Sequence, residues 1–381
     1  MEAKKIIGPV LRFVKSEAVL CAAWILAVVS MFFVHPDREY FSYIDWRSLG
    51  ILWSLMVIMN VFRQNGFFDF LAQKLLSSVK KIWMLIGTLV FLCFFLSMAI
   101  TNDVALLTFV PFAITILEGS ELLVPTIVLQ TIAANLGSML MPIGNPQNLY
   151  LFAVGNFSAA GFIKLTIPYW ILSLVLLVPS IFFVTRKSSG KLPESKIVAK
   201  NKTGGESKKL RIISSSVFAL LFVLAILTVV RVVPFYILVA VVLIFSLILQ
   251  RHAFLGADYL LLLTFVGFFI FTGNMARIPA INGALKKLVE GRELLLGIAS
   301  SQIISNVPAA LLLSGFTKNI PLLIVGVNVG GLGTLIASMA SLISFKFYSR
   351  TKNSRPAKYI LYFTVANLIF LAALIAEHFL I

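Results

Sequence analysis

The chain has 381 residues, of which 60% are hydrophobic and only 12% are charged. That charged share is about half the share in a typical soluble domain, so a soluble enzyme is excluded. The formal net charge of +17 comes from basic residues that cluster beside apolar runs. This is the pattern of a cytoplasmic membrane face, and it does not indicate binding to nucleic acid.

Apolar runs of roughly 18 to 25 residues recur along the chain, and each is long enough to cross a hydrocarbon core. They predict an all-α polytopic membrane protein. The predicted spans are 17–34, 48–62, 124–154, 162–184, 211–230, 234–250, 259–275, 320–345 and 358–380. Two more apolar regions, 82–118 and 291–318, are each interrupted by a polar motif, so each is either a helical hairpin or a pair of full spans.

The basic residues predict the orientation of the chain. They concentrate in the segments 4–15, 63–81, 186–211 and 346–358, which should share the cytoplasmic side. We therefore expect a multi-pass protein of the cytoplasmic (inner) membrane, with a cytoplasmic N-terminus and an external C-terminus. A hairpin and a pair of spans return the chain to the same side, so the charges do not separate those two interpretations.

The segment 186–211 is polar and basic, and it is predicted to be a flexible cytoplasmic linker. It separates a first repeat at 1–185 from a connecting span at 212–233 and a second repeat at 234–381. Three blocks align the halves in order, on the pairs Asp45 and Asp258, Asn102 and Asn306, and Asn135 and Asn328. The unpaired connecting span inverts the second half, and inverted repeats build secondary transporters.

The polar motifs interrupt helices inside the membrane. Backbone that leaves a helix there persists only where protein or a water-filled cavity satisfies it, so the interruptions are candidate sites. The helix that follows each hairpin tip, at Asn102 and at Asn306, is expected to offer a positive N-terminal end and free amide donors, which suit an anionic group. The breaks at 142–146 and 331–334 offer oxygen atoms to hard cations, although a packed helix kink at the prolines is the alternative.

These motifs define the candidate site residues. The residues expected to bind substrate are Thr101, Asn102, Gly144, Asn145, Pro146, Asn148, Ser305, Asn306 and Val307. The residues expected to bind a coupling ion are Asp103, Asn102, Ile143 and Thr334. No Arg or Lys lies near either tip motif in the sequence, so anion binding is expected to depend on helix ends, amides and a bound cation or proton.

Asp103 is the only carboxylate that the predicted spans place deep in the membrane. An ionised acid there costs several kcal/mol, so Asp103 should be neutralised by a proton or a cation, which would make it a coupling residue. The alternative is a helix cap that accepts amide hydrogens. The aligned residue in the second half is Val307, so the tip geometry does not require an acid.

The motifs at 101–107, 144–148 and 305–308 resemble those of the ion transporter superfamily, which includes citrate and dicarboxylate permeases, arsenite permeases and some sodium/proton antiporters. The resemblance covers residues 17–380 and implies two opposed re-entrant hairpins, each facing a broken helix. In the sodium-coupled dicarboxylate branch each tip carries a Ser-Asn-Thr triplet. Here Asp103 and Val307 hold the third position, and the missing hydroxyl at Val307 weakens the expectation of a second sodium site.

These observations predict a secondary active transporter for a small carboxylate or inorganic oxyanion, coupled to protons or sodium. The alternatives are a sodium/proton antiporter and a passive anion channel. An enzyme is not expected, because His35, His252 and His378 are predicted near the surfaces and no nucleophile–base pair or metal cluster is evident. The expected partners are the anion, the coupling ion, which could be a bound sodium, and the lipid bilayer; a homodimer is one of the open oligomeric states.

Overall fold

The computed structural model describes residues 17–77, 79–186 and 208–380. Most of the predicted linker at 186–211 lies outside the described residues. The described chain forms an all-α polytopic membrane protein. Its first half contains α1 (Ala18–Met31), α2 (Trp46–Gln64), α3 (Phe67–Leu76), α4 (Ile82–Ile100), α5 (Asn102–Leu117), α6 (Leu123–Ser138), α7 (Pro146–Val154) and α8 (Ala159–Thr185).

The described helices after the linker are given in chain order. They are α9 (Lys208–Val229), α10 (Phe235–Leu249), α11 (Tyr259–Arg277), α12 (Pro279–Val289), α13 (Glu293–Ile304), α14 (Asn306–Ser314), α15 (Ile320–Val329), α16 (Met339–Ser349) and α17 (Pro356–His378). Among the described residues, α4, α8, α9, α11 and α17 contain windows long and apolar enough to cross a membrane. The predicted spans 124–154 and 320–345 are each two helices separated by a break.

The two polar motifs do form helical hairpins. Helix α4 reverses into α5 at Thr101, and α13 reverses into α14 at Ser305. The backbone angles at the two reversals nearly coincide, with φ 72° and ψ 152° at Thr101 and φ 74° and ψ 155° at Ser305. Residues other than glycine rarely adopt this conformation, and strain of this kind concentrates at functional sites.

Helices α1 and α10 each pack against the opposite half. Helix α1 lies on α11, where a Cβ atom added at Gly267 would lie 3.1 Å from the Cβ atom of Ala23. Helix α10 lies on α2, where a Cβ atom added at Gly50 would lie 3.0 Å from the side chain of Val239. Small residues permit this close approach between membrane helices, so each half contributes a helix to the core of the other.

Two glycines bring the broken helices onto the first arms of the hairpins. A Cβ atom added at Gly137 of α6 would lie 2.0 Å from the carbonyl oxygen of Phe94 in α4. A Cβ atom added at Gly330, just after α15, would lie 2.8 Å from the Cα atom of Ile298 in α13. Any side chain at these positions would push a broken helix away from its hairpin.

Replacing Gly137 with alanine should therefore lower thermal stability. Overpacking a close contact typically costs about 1–3 kcal/mol, which would appear as a lower melting temperature in detergent. Gly87→Ala is the matched control, because it lies in α4 and has no atom within 4 Å of the added Cβ, so its higher helix propensity should leave stability equal or improved. Equal melting temperatures for the two variants would contradict the packing described here.

Candidate functional site

Both broken helices restart after a 3₁₀ turn and an extended residue. After α6 ends at Ser138, a single 3₁₀ turn at Pro142–Gly144 leads to α7, whose first turn is capped by Asn145. The Oδ1 atom of Asn145 accepts the backbone N–H of Asn148 at 2.9 Å. In the second half, a turn at Leu335–Ala337 leads to α16, with the extended residue Ser338 before it. Asn145 and Ser338 are separated by the 193-residue offset that also relates Asn135 to Asn328.

Buried amides join each break to the opposite half. The Oδ1 atom of Asn135 accepts the Ser338 hydroxyl at 2.9 Å, and the Oδ1 atom of Asn328 accepts Nδ2 of Asn145 at 3.1 Å. Asn135 also donates to the Ser341 hydroxyl at 3.4 Å, and Asn328 donates to Oδ1 of Asn148 at 2.6 Å. Both pairs of bonds obey the 193-residue offset, so equivalent residues make equivalent contacts.

The hairpin tips meet this network. Nδ2 of Asn102 donates to Oδ1 of Asn135 at 3.1 Å, and Nδ2 of Asn135 reaches the carbonyl oxygen of Gly331 at 3.4 Å. Nδ2 of Asn306 lies 2.9 Å from the position that a Cβ atom on Gly331 would occupy. The structure thus brings Asn102 and Asn306 to one neighbourhood beside Gly331, together with the network that holds Asn145 and Asn148.

Most of the predicted substrate residues are buried in this neighbourhood. The side chains that are at most 5% exposed are Asn102, Asn145, Asn148, Ser305, Asn306 and Val307. Thr101 is half-buried, and Gly144 and Pro146 are buried. Gln147, which the sequence interpretation noted but did not include in the site, is 1% exposed and its Oε1 atom has no partner among the described residues. A buried polar atom without a partner is unusual.

The two tips differ in the amides that they leave open. At the first tip, the N–H of Val104 donates to Oγ1 of Thr101 at 3.5 Å and the N–H of Asp103 donates to Oδ1 of Asn102 at 3.0 Å. The expectation of free donors at the start of α5 is therefore wrong for these two amides, because neighbouring side chains already accept them. Helix α14 has no side-chain cap, so its first amides are the ones left for an anion.

Asp103 does not cap its own helix. The amides at the start of α5 are accepted by Thr101 and Asn102, and the Oδ1 atom of Asp103 is buried without a hydrogen-bond partner. This geometry argues against the cap interpretation. Asp103 is not the only carboxylate removed from water, since Glu293 at the start of α13 is 2% exposed and accepts the Thr317 hydroxyl at 2.7 Å.

Asp103 lines a cavity of about 150 Å³. The cavity touches both hairpin and break residues, and it is lined by Leu52, Leu55, Met56, Met59, Asn60, Arg63, Thr101, Asp103, Val104, Leu107, Pro146, Gly256, Asp258, Leu261, Met339 and Ile343. Arg63 therefore shares a cavity with Thr101 and Asp103. No Arg or Lys lies near the tip motifs in the sequence, but the fold brings Arg63, at the end of α2, to the cavity beside the first hairpin.

The residues predicted for a coupling ion do not gather at that cavity. Asp103 lines it, whereas Asn102, Ile143 and Thr334 are absent from its lining. The Thr334 hydroxyl donates to the backbone oxygen of Gln302 at 3.1 Å, and its N–H donates to Oε1 of Gln302 at 2.9 Å. Thr334 is thus engaged by the second hairpin.

Gln302 holds the second break in shape, and the sequence interpretation missed it. Its Nε2 atom donates to the carbonyl oxygens of Gly330 and Leu332, each at 2.9 Å. Asn148 has the corresponding role in the first break, because its Nδ2 atom donates to the carbonyl oxygens of Met139 and Met141 at 3.3 Å and 3.4 Å. The sequence did offer a signal for this residue, because Gln302 is a polar amide on the hydrophobic helix α13, three residues before the tip motif at 305–308.

Replacing Gln302 with methionine should destabilise the protein by about 2–4 kcal/mol, because buried carbonyls at the break would lose their donor. Methionine nearly preserves the volume and appears as Met98 before the first tip. Melting in detergent measures the effect, and Gln64→Met at the exposed end of α2 is the control. A melting temperature for Gln302→Met equal to that of the control would refute this support for the second break.

Comparison with known proteins places the chain among transporters. A family model described as "Citrate transporter" matches residues 6–327. An uncharacterized transporter of Methanocaldococcus jannaschii is 34% identical over 344 residues, which cover 89% of this chain and 90% of that protein.

Two further relatives agree. Inner membrane protein YbiR of Escherichia coli is 32% identical over 348 residues, which cover 89% of this chain and 90% of that protein. A protein of Dictyostelium discoideum named as transporter arsB is 27% identical over 146 residues, which cover 38% of this chain and 26% of that protein. The chain therefore belongs to the citrate transporter family, within the ion transporter superfamily that its motifs resemble.

Proposed function

We propose that the protein is a secondary active transporter that moves a small carboxylate or inorganic oxyanion across the cytoplasmic membrane, driven by protons or sodium. The observation that carries this proposal is the crossed amide network. Polar side chains from both hairpin tips and both breaks lie together in the apolar core. Polar groups are costly to bury there, so they are retained where they serve binding or structure. Family membership supports transport as the general activity.

Substrate would bind among the tips and breaks. Asn306 contributes a buried amide beside Gly331, and the uncapped start of α14 adds N–H donors. Backbone amides at a helix start favour anions. Asn145 and Asn148 would form the opposite wall, because they belong to the network that reaches Gly331 through Asn135.

Coupling would depend on Asp103. Its carboxylate lines the cavity and one of its oxygens has no partner, so binding of a proton or cation there would neutralise a buried charge. We further propose that the halves are inverted repeats with re-entrant hairpins, and that the N-terminus is cytoplasmic. The matching tip angles and the 193-residue recurrence of the amide contacts support the repeat. If each half can adopt the conformation of the other, the site would open to the two sides of the membrane in turn.

Purified protein in liposomes tests this function. Uptake of citrate, succinate, phosphate and arsenite would be measured with an imposed proton gradient, an imposed sodium gradient and neither. Accumulation of one of these solutes above its external concentration, only with a gradient, is the expected result. Uptake that stops at equal concentrations would indicate a channel, and sodium-dependent proton flux without any of these solutes would indicate the antiporter; both outcomes contradict the proposal.

A further inference from the structure

The cavity that contains Asp103 carries three charged side chains, and they differ in how far each is engaged. Arg63, Asp103 and Asp258 line it, and most of the remaining wall is apolar. Asp258 caps α11, because its Oδ1 atom accepts the N–H of Leu261 at 2.9 Å. The positive end of α11 therefore offsets the charge of Asp258. Arg63 and Asp103 remain as the two charges that are available to a solute.

Arg63 is oriented but not neutralised. Its guanidinium donates to Oδ1 of Asn60 at 3.2 Å, and Asn60 is fixed in turn because its Nδ2 atom donates to the carbonyl oxygen of Ala253 at 2.7 Å. Asn60 is only 4% exposed. In the part of the chain that the structure describes, no carboxylate lies within 4.0 Å of Arg63. The guanidinium has five N–H donors, so most of them remain free.

The arginine at the end of α11 shows the contrasting arrangement. Arg277 lies 2.7 Å from Oδ2 of Asp37 and also donates to the Tyr43 hydroxyl at 3.0 Å. The hydrogen bond from Arg277 lowers the pKa of Asp37 below its ordinary value. Arg277 is therefore paired with carboxylates, whereas Arg63 at the end of α2 lines a cavity without such a pair among the described residues.

We propose that Arg63 contacts the transported anion in the cavity and determines the preference for anionic solutes, an inference that rests on the proposed anion transport. A guanidinium fork matches the two oxygens of a carboxylate or oxyanion. Asn60 holds the fork in place, and the exposed Arg63 side chain is accessible to a solute. The anion passes from Arg63 to the uncapped amides at the start of α14.

The test compares Arg63→Gln, Arg63→Lys and Arg251→Gln in liposomes, with the first of citrate, succinate and phosphate that the wild-type protein accumulates. Arg251 is the matched control, because it is exposed, lies near Ala253 and is absent from the cavity lining. Loss of a charge-assisted contact should raise KM by roughly tenfold to a hundredfold in Arg63→Gln. Arg63→Lys should be intermediate, because it keeps the charge but not the fork, and Arg251→Gln should stay within about twofold of wild type.

Size-exclusion profiles and melting temperatures of the three variants distinguish lost binding from misfolding. A KM for Arg63→Lys that is closer to the wild-type value than the KM for Arg63→Gln is a result that a packing role alone would not produce. An unchanged KM in Arg63→Gln, with the wild-type protein active, would overturn this inference and leave the proposed function intact. Absence of anion accumulation by the wild-type protein would overturn both.

Discussion

Replacing Asp103 with asparagine is expected to abolish gradient-driven accumulation while preserving exchange of substrate across the membrane. Asparagine keeps the shape and much of the hydrogen-bonding capacity of aspartate but carries no titratable charge. If Asp103 binds the driving proton, the variant would resemble the protonated form permanently, so its accumulation ratio should fall to about 1 whereas counterflow of labelled substrate continues. Both quantities can be measured in the same proteoliposomes.

The defect expected for Asp103→Asn depends on which ion drives transport. With sodium as the driver, Asp103→Asn should weaken sodium affinity and leave the pH dependence of transport mostly unchanged. Asp69→Asn is the control, because Asp69 lies on the exposed face of α3 and is absent from the cavity lining. Wild-type accumulation by Asp103→Asn under both gradients would show that the carboxylate has no coupling role.

Alanine at Asn102 or at Asn306 should reduce transport by about a hundredfold, because each change removes an amide from an anion site. The fold should survive both changes. Oδ1 of Asn135 would still accept the Ser338 hydroxyl after the loss of Asn102, and α14, which starts at Asn306, has no side-chain cap to lose. Initial uptake rates measure the loss, and detergent melting measures folding.

Asn353→Ala is the matched control for this pair, since Asn353 is exposed and its loss should leave uptake within about twofold of wild type. The informative comparison is between uptake and stability in the same preparation. Wild-type uptake in both Asn102→Ala and Asn306→Ala would move the site away from the tips. A loss of uptake that is accompanied by a large fall in melting temperature would instead indicate that the amides serve the fold.

Much of the helical framework could be predicted from sequence because lipid imposes a simple constraint. Backbone groups in the hydrocarbon must be hydrogen-bonded within the protein, and a helix achieves this within one segment, so long apolar runs are helices and polar or proline-rich interruptions are breaks. The predicted spans 211–230 and 259–275 became α9 and α11. Asp45 and Asp258, aligned as repeat positions, both accept the N–H three residues later at a helix start.

The backbone of the tips could not be predicted in the same way. The motif at Asn102 and Asn306 located both reversals, but the left-handed φ values at Thr101 and Ser305 are unusual for these residue types. Surrounding contacts impose such conformations, and local preference opposes them. The capping of α5 by Thr101 and Asn102 likewise follows from the detailed path of the reversal, so the expectation of free amides there failed.

The sequence by itself determined that the chain is helical, that it is apolar enough for a membrane and that its helices break at two pairs of polar motifs, because these properties depend on residues close together in the chain. Only the tertiary structure decided which polar groups meet. Asn135 and Asn328 bond across the halves, Gln302 holds the second break, and Arg63 shares a cavity with Asp103. These contacts join segments far apart in sequence, and the packing of α2, the hairpins and the broken helices sets their geometry.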